Sequence, residues 1–242
     1  MCAPLCLEYT ANNLLVSRLL LKFVSGYVAF RLYLHLRNNI SNDTLMTIIP
    51  ATTAHAADIA ELIMTAMTDD CCQFLAGEEH TLDDFYHMMV DLVLMDDSQY
   101  SWRNAFVAVD EAATEGNVEY APVAGVVVGY DGGDLHRLRR RFQEEALSQL
   151  HMDYSLMDDE TQPGEFYIDS LAVYPEYRRR GVATLLLRHA IEHASALNLP
   201  TGLLVDKGNP NAERLYRSVG FDFCNDATWG GHEMRHLRTP MP

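Results

Sequence analysis

The spacing of hydrophobic positions along this chain changes several times, and each change marks an element. Phe166–Val173 is rich in aromatic and β-branched residues and predicts a strand. Pro175 stops it, and Tyr177-Arg178-Arg179-Arg180-Gly181 carries the chain into a different period. There Ala183, Leu186, Leu187, Ala190, Ala194 and Leu197 fall at i, +3, +4, +7, +11 and +14, one face of an amphipathic helix. Upstream, Met46–Ile49 reads as a strand, followed by a helix that starts at an N-cap Thr53 and is striped by Ile59, Leu62, Ile63 and Ala66. Thr81, with Asp84 three residues on, opens a second helix striped by Phe85, Met88, Met89 and Leu92. Two strands follow, Ala105–Val109 and Val123–Gly129, around a polar turn at Glu115-Gly116-Asn117. Ala212, Leu215, Tyr216 and Val219 then stripe a helix that Asn209 caps, with Pro210 first inside it and Gly220 just past its end.

The stretch from Glu165 to Ala196 carries the first chemical hint. Backbone N–H groups in the first turn of a helix lack intrahelical partners, and the positive end of the helix dipole lies there. A basic turn containing a glycine, ending at such a start, is suited to an anion such as a phosphate.

Arg178-x-x-Gly181-x-Ala183 resembles the acyl-CoA pyrophosphate loop of the GNAT superfamily of N-acetyltransferases. Asn209-x-x-Ala212-x-x-x-Tyr216-x-x-x-Gly220-Phe221 is similar to that family's next helix, one strand further on. The two matches span about residues 165–221, and the order of elements from Met46 is that of a GNAT opening. The resemblance implies a mixed α/β fold with a mostly antiparallel central sheet and flanking helices. It implies an acetyl-CoA-dependent N-acetyltransferase that passes the acetyl group directly to a primary amine. It also leaves room for a peptide acceptor, for a non-catalytic acyl-CoA sensor and for a homodimer.

Direct transfer needs the cofactor held, the amine deprotonated and the departing thiolate stabilised. The resemblance assigns holding to Arg178, Arg179, Arg180, Gly181, Val182, Ala183 and Thr184, where glycine lets backbone approach phosphate closely. It places a bulge at Leu171, Ala172 and Val173 that splays their strand from Gly202–Val205 and frees backbone groups for the pantetheine arm. It makes Tyr216 the general acid, with Asn209 and Ala212 beside the same arm; a core tyrosine and a plain helix cap are the alternatives. For the base, strand alternation puts Tyr167, Asp169 and Leu171 on one face and Phe166, Ile168 and Ser170 on the other. Asp169 is the best-placed carboxylate and Glu165 the second, each of which burial would tune upward; a structural carboxylate is the alternative.

His232-Glu233-Met234-Arg235-His236 matches the H-E-x-x-H zinc pattern, which requires a helix. Gly230-Gly231 before it, Pro240 after it and the family's final strand argue against one. Along a strand the two histidines would stand ~13 Å apart, too far to share a metal.

Two segments depart from the family. Between Asp131 and Gly164 the chain inserts about 30 residues, with a helix over Leu135–Leu150 that is basic at its start and followed by an acidic loop. Such an insertion either walls the acceptor site or is a solvated decoration. Residues 1–45 form an N-terminal extension before the acetyltransferase domain at 46–242. Leu14–Leu36 is apolar but broken by Arg18, Lys22 and Arg31, short of the ~20 residues a membrane span needs. The extension reads either as a basic amphipathic helix or, preferably, as upstream of a true start at Met46.

Composition sharpens the acceptor. The net charge is −16 over 242 residues, while Arg18, Lys22, Arg31 and Arg37 against Glu8 and Asp43 make residues 1–45 basic. The acidic remainder disfavours nucleic acid and suits a cationic small amine, although solubility alone explains such a charge. Five cysteines lack metal-ligand spacing, and the adjacent Cys71 and Cys72 point to reduced thiols and a cytoplasmic protein.

Overall fold

A computed structural model describes residues 46–111 and 121–242. The chain divides after Asp43, and the fold below is that of the second unit. The expectations for residues 1–45 and for the turn at Glu115-Gly116-Asn117 fall outside the described residues.

Seven strands form one sheet: β1 (Met46–Pro50), β2 (Ala105–Asp110), β3 (Val123–Asp131), β4 (Phe166–Val173), β5 (Thr201–Asp206), β6 (Asp222–Trp229) and β7 (His232–Arg238). Their order is β1-β2-β3-β4-β5-β7-β6, antiparallel throughout except where β4 meets β5. Helices α1 (Ala56–Met67), α2 (Asp69–Ala76) and α3 (Leu82–Leu94) precede β2. Helix α4 (Leu135–Gln149) lies in the insertion, α5 (Val182–Ala196) follows β4, and α6 (Pro210–Ser218) follows β5.

The hydrophobic stripes decide the layers. Ile59, Leu62 and Ile63 of α1 and Phe85, Met88 and Leu92 of α3 pack with Val107, Val126, Val128 and Ala172 on one sheet face. Leu186, Leu187, Ala190 and Ala194 of α5 pack with Val127, Phe166, Ile168 and Val173 on the other. Both stripes are fully removed from water, the condition under which each of their leucine, isoleucine, phenylalanine and methionine side chains contributes about 1.5–3 kcal/mol.

The capping box at Thr81 forms as expected. Thr81 Oγ1 accepts from the Asp84 N–H at 3.2 Å, and Asp84 Oδ2 accepts from the Thr81 N–H at 2.8 Å. Thr81→Ala should cost about 1 kcal/mol, read as a lower urea midpoint at unchanged slope. At α1 the expectation is off by one residue and one turn. Thr52, not Thr53, starts a short 3-10 turn, and its N–H donates to His55 Nδ1 at 3.0 Å. Helix α2 was not foreseen; it has only eight residues, with Cys72, Leu75 and Ala76 buried.

The insertion is part of the core rather than a decoration. Phe142, Ala146 and Leu150 enter the cluster under α1 and α3, with the Phe142 ring edge-on to Tyr100 at 6.1 Å. Leu135 and Leu138 pack with Tyr130 and Tyr167. Arg139, only 2% exposed, fastens the loop that follows: it donates to Asp159 Oδ1 at 2.9 Å and pairs with Glu160.

Candidate active site

Strands β4 and β5 run parallel but pair only at Phe166↔Thr201 and Tyr167↔Gly202. Beyond that point β4 stays with β3 up to Val173, and β5 stays with β7 up to Asp206. The two strands therefore part at the centre of the sheet, and beyond Tyr167 and Gly202 their facing edges do not pair with one another. The Leu204 N–H faces the Tyr167 hydroxyl.

The bulge lies elsewhere than expected. The β3–β4 register passes from Gly129↔Ile168 to Val128↔Ser170, which leaves Asp169 as the extra residue, while Leu171, Ala172 and Val173 pair regularly with β3. One inserted residue reverses the alternation of everything after it. Leu171 accordingly packs with Phe166, Ile168 and Val173 toward α5, not on the face of Asp169, and Ala172 joins the opposite core. The fault in simple alternation is that a bulge depends on the partner strand and has no signature in β4 alone.

The bulge aims Asp169 at a cluster of tyrosines. Its Oδ1 accepts from Ser170 Oγ at 2.9 Å, and its Oδ2 accepts from Tyr130 Oη and from Gln99 Nε2, both at 3.3 Å. Tyr100 and Tyr167 also lie within its field. The residue as a whole is half-buried, and burial of its carboxylate outweighs its hydrogen bonds and nearby Arg139 and pushes it up to about 6. Burial likewise pushes Tyr100, Tyr130 and Tyr167 well up, so all three stay neutral.

Glu165 is a correction. It is 1% exposed, its Oε1 accepts from Thr161 Oγ1 at 2.7 Å and its Oε2 accepts from His236 Nε2 at 2.8 Å. It lies under Gly202, where a Cβ would clash with Oε2. A carboxylate enclosed in this way ties β4 to β7 across β5 and offers no face to an acceptor. His236 lies on β7 as part of that tie, and His232 pairs instead with Asp206 Oδ2 at 3.2 Å. The H-E-x-x-H pattern thus falls on a strand, and its histidines have separate partners.

Tyr216 lies on α6, edge-on to Phe221 at 6.0 Å, and within the field of Tyr167. Burial pushes its phenol up to about 12. No residue of α6 is fully buried, so Ala212, Leu215 and Tyr216 leave a half-covered apolar wall. Asn209 caps this helix, accepting the Ala212 N–H at 3.1 Å.

At the mouth of the cleft the basic turn meets α5. Gly181 is the N-cap of α5 at φ +82°, and Arg179 before it is also left-handed at φ +62°. The cap makes no side-chain hydrogen bond, so the N–H groups of Val182, Ala183 and Thr184 keep their outward direction. A Cβ at Gly181 would meet nothing within 4 Å. Arg178 is turned inward, donating from Nε to the Val173 carbonyl at 2.9 Å, and Arg180 stacks on Tyr177 at 5.4 Å.

A family model described as Acetyltransferase (GNAT) family matches residues 78–221, more than half of the chain. This chain belongs to the GNAT acetyltransferase family. A solved structure described as an acetyltransferase is 25% identical at a TM-score of 0.64, covering 81% of this chain and 100% of its own. An N-acetyltransferase from Staphylococcus aureus Mu50 shares the fold at 22% identity and a TM-score of 0.67, covering 80% of this chain and 100% of its own. Comparison with curated proteins gives no match. The chain is accordingly an N-acetyltransferase with the mixed, mostly antiparallel GNAT sheet.

The tyrosines at 100, 130 and 167, Gln99 and Glu160 were not foreseen as site residues. They come from four separate segments, which only the tertiary fold gathers around Asp169 and Tyr130. No helix among the described residues is long and apolar enough to cross a membrane.

Proposed function

We propose that this acetyltransferase uses acetyl-CoA to acetylate a primary amine on a small cationic molecule, with Asp169 as the base. The observation that carries the reading is Asp169 itself, a half-buried bulge residue whose carboxylate is ringed by neutral tyrosines beside the parting strands. An ammonium group suits this setting, attracted by the carboxylate and by aromatic faces.

The residues present fit the cofactor. The uncapped start of α5 and the open space at Gly181 would receive the pyrophosphate, with Arg179 and Arg180 adding charge. The facing edges of β4 at Leu171 and Ala172 and of β5 beyond Gly202, which do not pair with one another, would take the pantetheine arm against Asn209, Ala212 and Tyr216. Acetyl-CoA would supply the activated thioester.

Asp169 Oδ2 would take the amine proton. An alkylammonium near 10.4 lies well above an ordinary carboxyl at 3.8, and raising Asp169 to about 6 narrows that gap by about two units, roughly 3 kcal/mol. Tyr216 at about 12 holds its proton more tightly than a thiol near 8.5 would, so full transfer to the leaving sulfur is uphill. Its part is to donate a hydrogen bond to the developing thiolate. The free Cys71, Cys72 and Cys224 favour a reducing compartment, the cytoplasm.

Thermal unfolding of the full chain with acetyl-CoA at ~100 times its dissociation constant should show about 2.7 kcal/mol of added stability. A thiol-release assay in parallel would compare spermidine, an aminoglycoside and a peptide with a free N-terminus. Turnover confined to the small amines supports the reading. Turnover confined to the peptide, or a thermal shift with no turnover on any of them, removes it.

A further inference from the structure

We propose that Tyr130 is a reversible hydroxyl switch between two carboxylates, through which Glu160 of the insertion sets the proton affinity of Asp169. The inference rests on Asp169 being the base. Tyr130 Oη lies 3.3 Å from Asp169 Oδ2 and 3.1 Å from Glu160 Oε1, and a phenol has one proton to give. Both contacts cannot be donated at once. Glu160, 8% exposed, is held by buried Arg139, so it is a standing acceptor whether or not Tyr130 points at it.

Two arrangements satisfy Tyr130 and both carboxylates. With Asp169 ionised, Tyr130 donates to Asp169, and Glu160 is satisfied by Arg139. With Asp169 protonated on Oδ2, that new O–H donates to Tyr130 Oη, and Tyr130 turns its own proton to Glu160 Oε1. No covalent bond changes in the turn; one hydroxyl rotates. Glu160 therefore favours the protonated form of Asp169, whereas the Tyr130 bond to the ionised form opposes it.

The other groups facing Asp169 are placed differently. Ser170 and Gln99 donate to it from β4 and from the segment before β2. Tyr100 and Tyr167 are neutral neighbours from that segment and from β4. Arg139 of α4 is the cation in its field, and Asp159 and Glu160 both pair with it. Among these, Tyr130 is the group shared between Asp169 and the insertion. The insertion would thus act on the chemistry through a hydrogen bond: Tyr130 and Glu160 are positioning residues for the carboxylate that touches substrate.

The direct readout is the titration of Asp169 by carbon-13 NMR of carboxyl-labelled aspartates in the full chain, which needs no acceptor. Glu160→Gln should move the Asp169 midpoint down by about half a pH unit or more, because the negative charge is lost and the one remaining oxygen is held by Arg139, which turns a donor rather than an acceptor toward Tyr130. Tyr130→Phe should move it up, because a hydrogen bond to an ion is worth more than one to a neutral acid. In the Tyr130→Phe background the Glu160→Gln shift should shrink, as a double-mutant cycle reads coupling through the shared hydroxyl.

An unmoved midpoint in Glu160→Gln, or an equal shift in both backgrounds, overturns the switch and leaves Asp169 as the base. Should Glu160→Gln fail to fold because it strands Arg139, Tyr130→Phe decides alone, and a midpoint that falls or stays put overturns the switch. The base reading fails separately, if Asp169→Asn keeps wild-type turnover of the acetylated amine.

Discussion

Replacing Asp169 with Asn should lower kcat/KM for the acetylated amine by roughly 10²- to 10⁴-fold while leaving acetyl-CoA binding intact. The amide keeps the shape and some of the hydrogen bonds but cannot accept the proton. Activity of the wild type should fall about tenfold per pH unit below the Asp169 midpoint near 6, because only the ionised carboxylate is a base, and that limb should vanish in the variant. Stability should move the other way. Asp169 titrates higher in the fold than in the unfolded chain, so the fold binds the proton more tightly. The wild type therefore gains stability as pH falls from about 6 toward 4, by an amount of the order of 3 kcal/mol, and at neutral pH it carries that deficit. The Asn variant lacks both the deficit and the gain, so its unfolding midpoint at pH 8 should be no lower than the wild type's. A variant that loses activity and stability together at pH 8 would make Asp169 a structural carboxylate instead.

Replacing Gly181 with Val should weaken acetyl-CoA binding by about 100-fold, equivalent to about 2.7 kcal/mol, measured by calorimetric titration. Two causes act together. The residue sits at φ +82°, where a β-branched side chain costs roughly 1–2 kcal/mol. The added side chain also projects into the space at the start of α5, where the protein itself places nothing within 4 Å. Because that space is empty of protein, the fold should survive with a loss no larger than the backbone strain. Gly181→Ala, at the same φ with less bulk, should bind between the two. Unchanged affinity in Gly181→Val would move the pyrophosphate away from this turn.

The order of elements was legible because each signal is local. Thr81 and Asp84 find one another across a single helical turn, and so do Asn209 and Ala212. The glycine before α5 announces a left-handed cap in the same way. Helix stripes such as Leu186, Leu187 and Ala190 identify a buried face without naming what buries it. The short α2 escaped because eight residues give too little periodicity to separate from a loop.

Glu165 shows where the sequence stops. From strand position it lies at the mouth of β4, a candidate base; its fate is set by His236, 71 positions away, and by Gly202 above it. Asp169 was singled out by its place on β4, yet the bulge that aims it is a mismatch with β3 at Val128 and Gly129. Glu160 and Arg139 read in sequence as charges on an insertion, and the pair is buried against Tyr130.

By itself, then, the sequence determined the strand, the glycine turn, the helix starts and the family motif, all fixed by interactions within about one turn or one strand. The tertiary structure alone decided the splay of β4 from β5, the reversal of faces after Asp169, and which carboxylate is locked in an ion pair and which is left among tyrosines. Those depend on the register between strands distant in sequence and on burial, and a one-residue slip in register exchanges inside for outside.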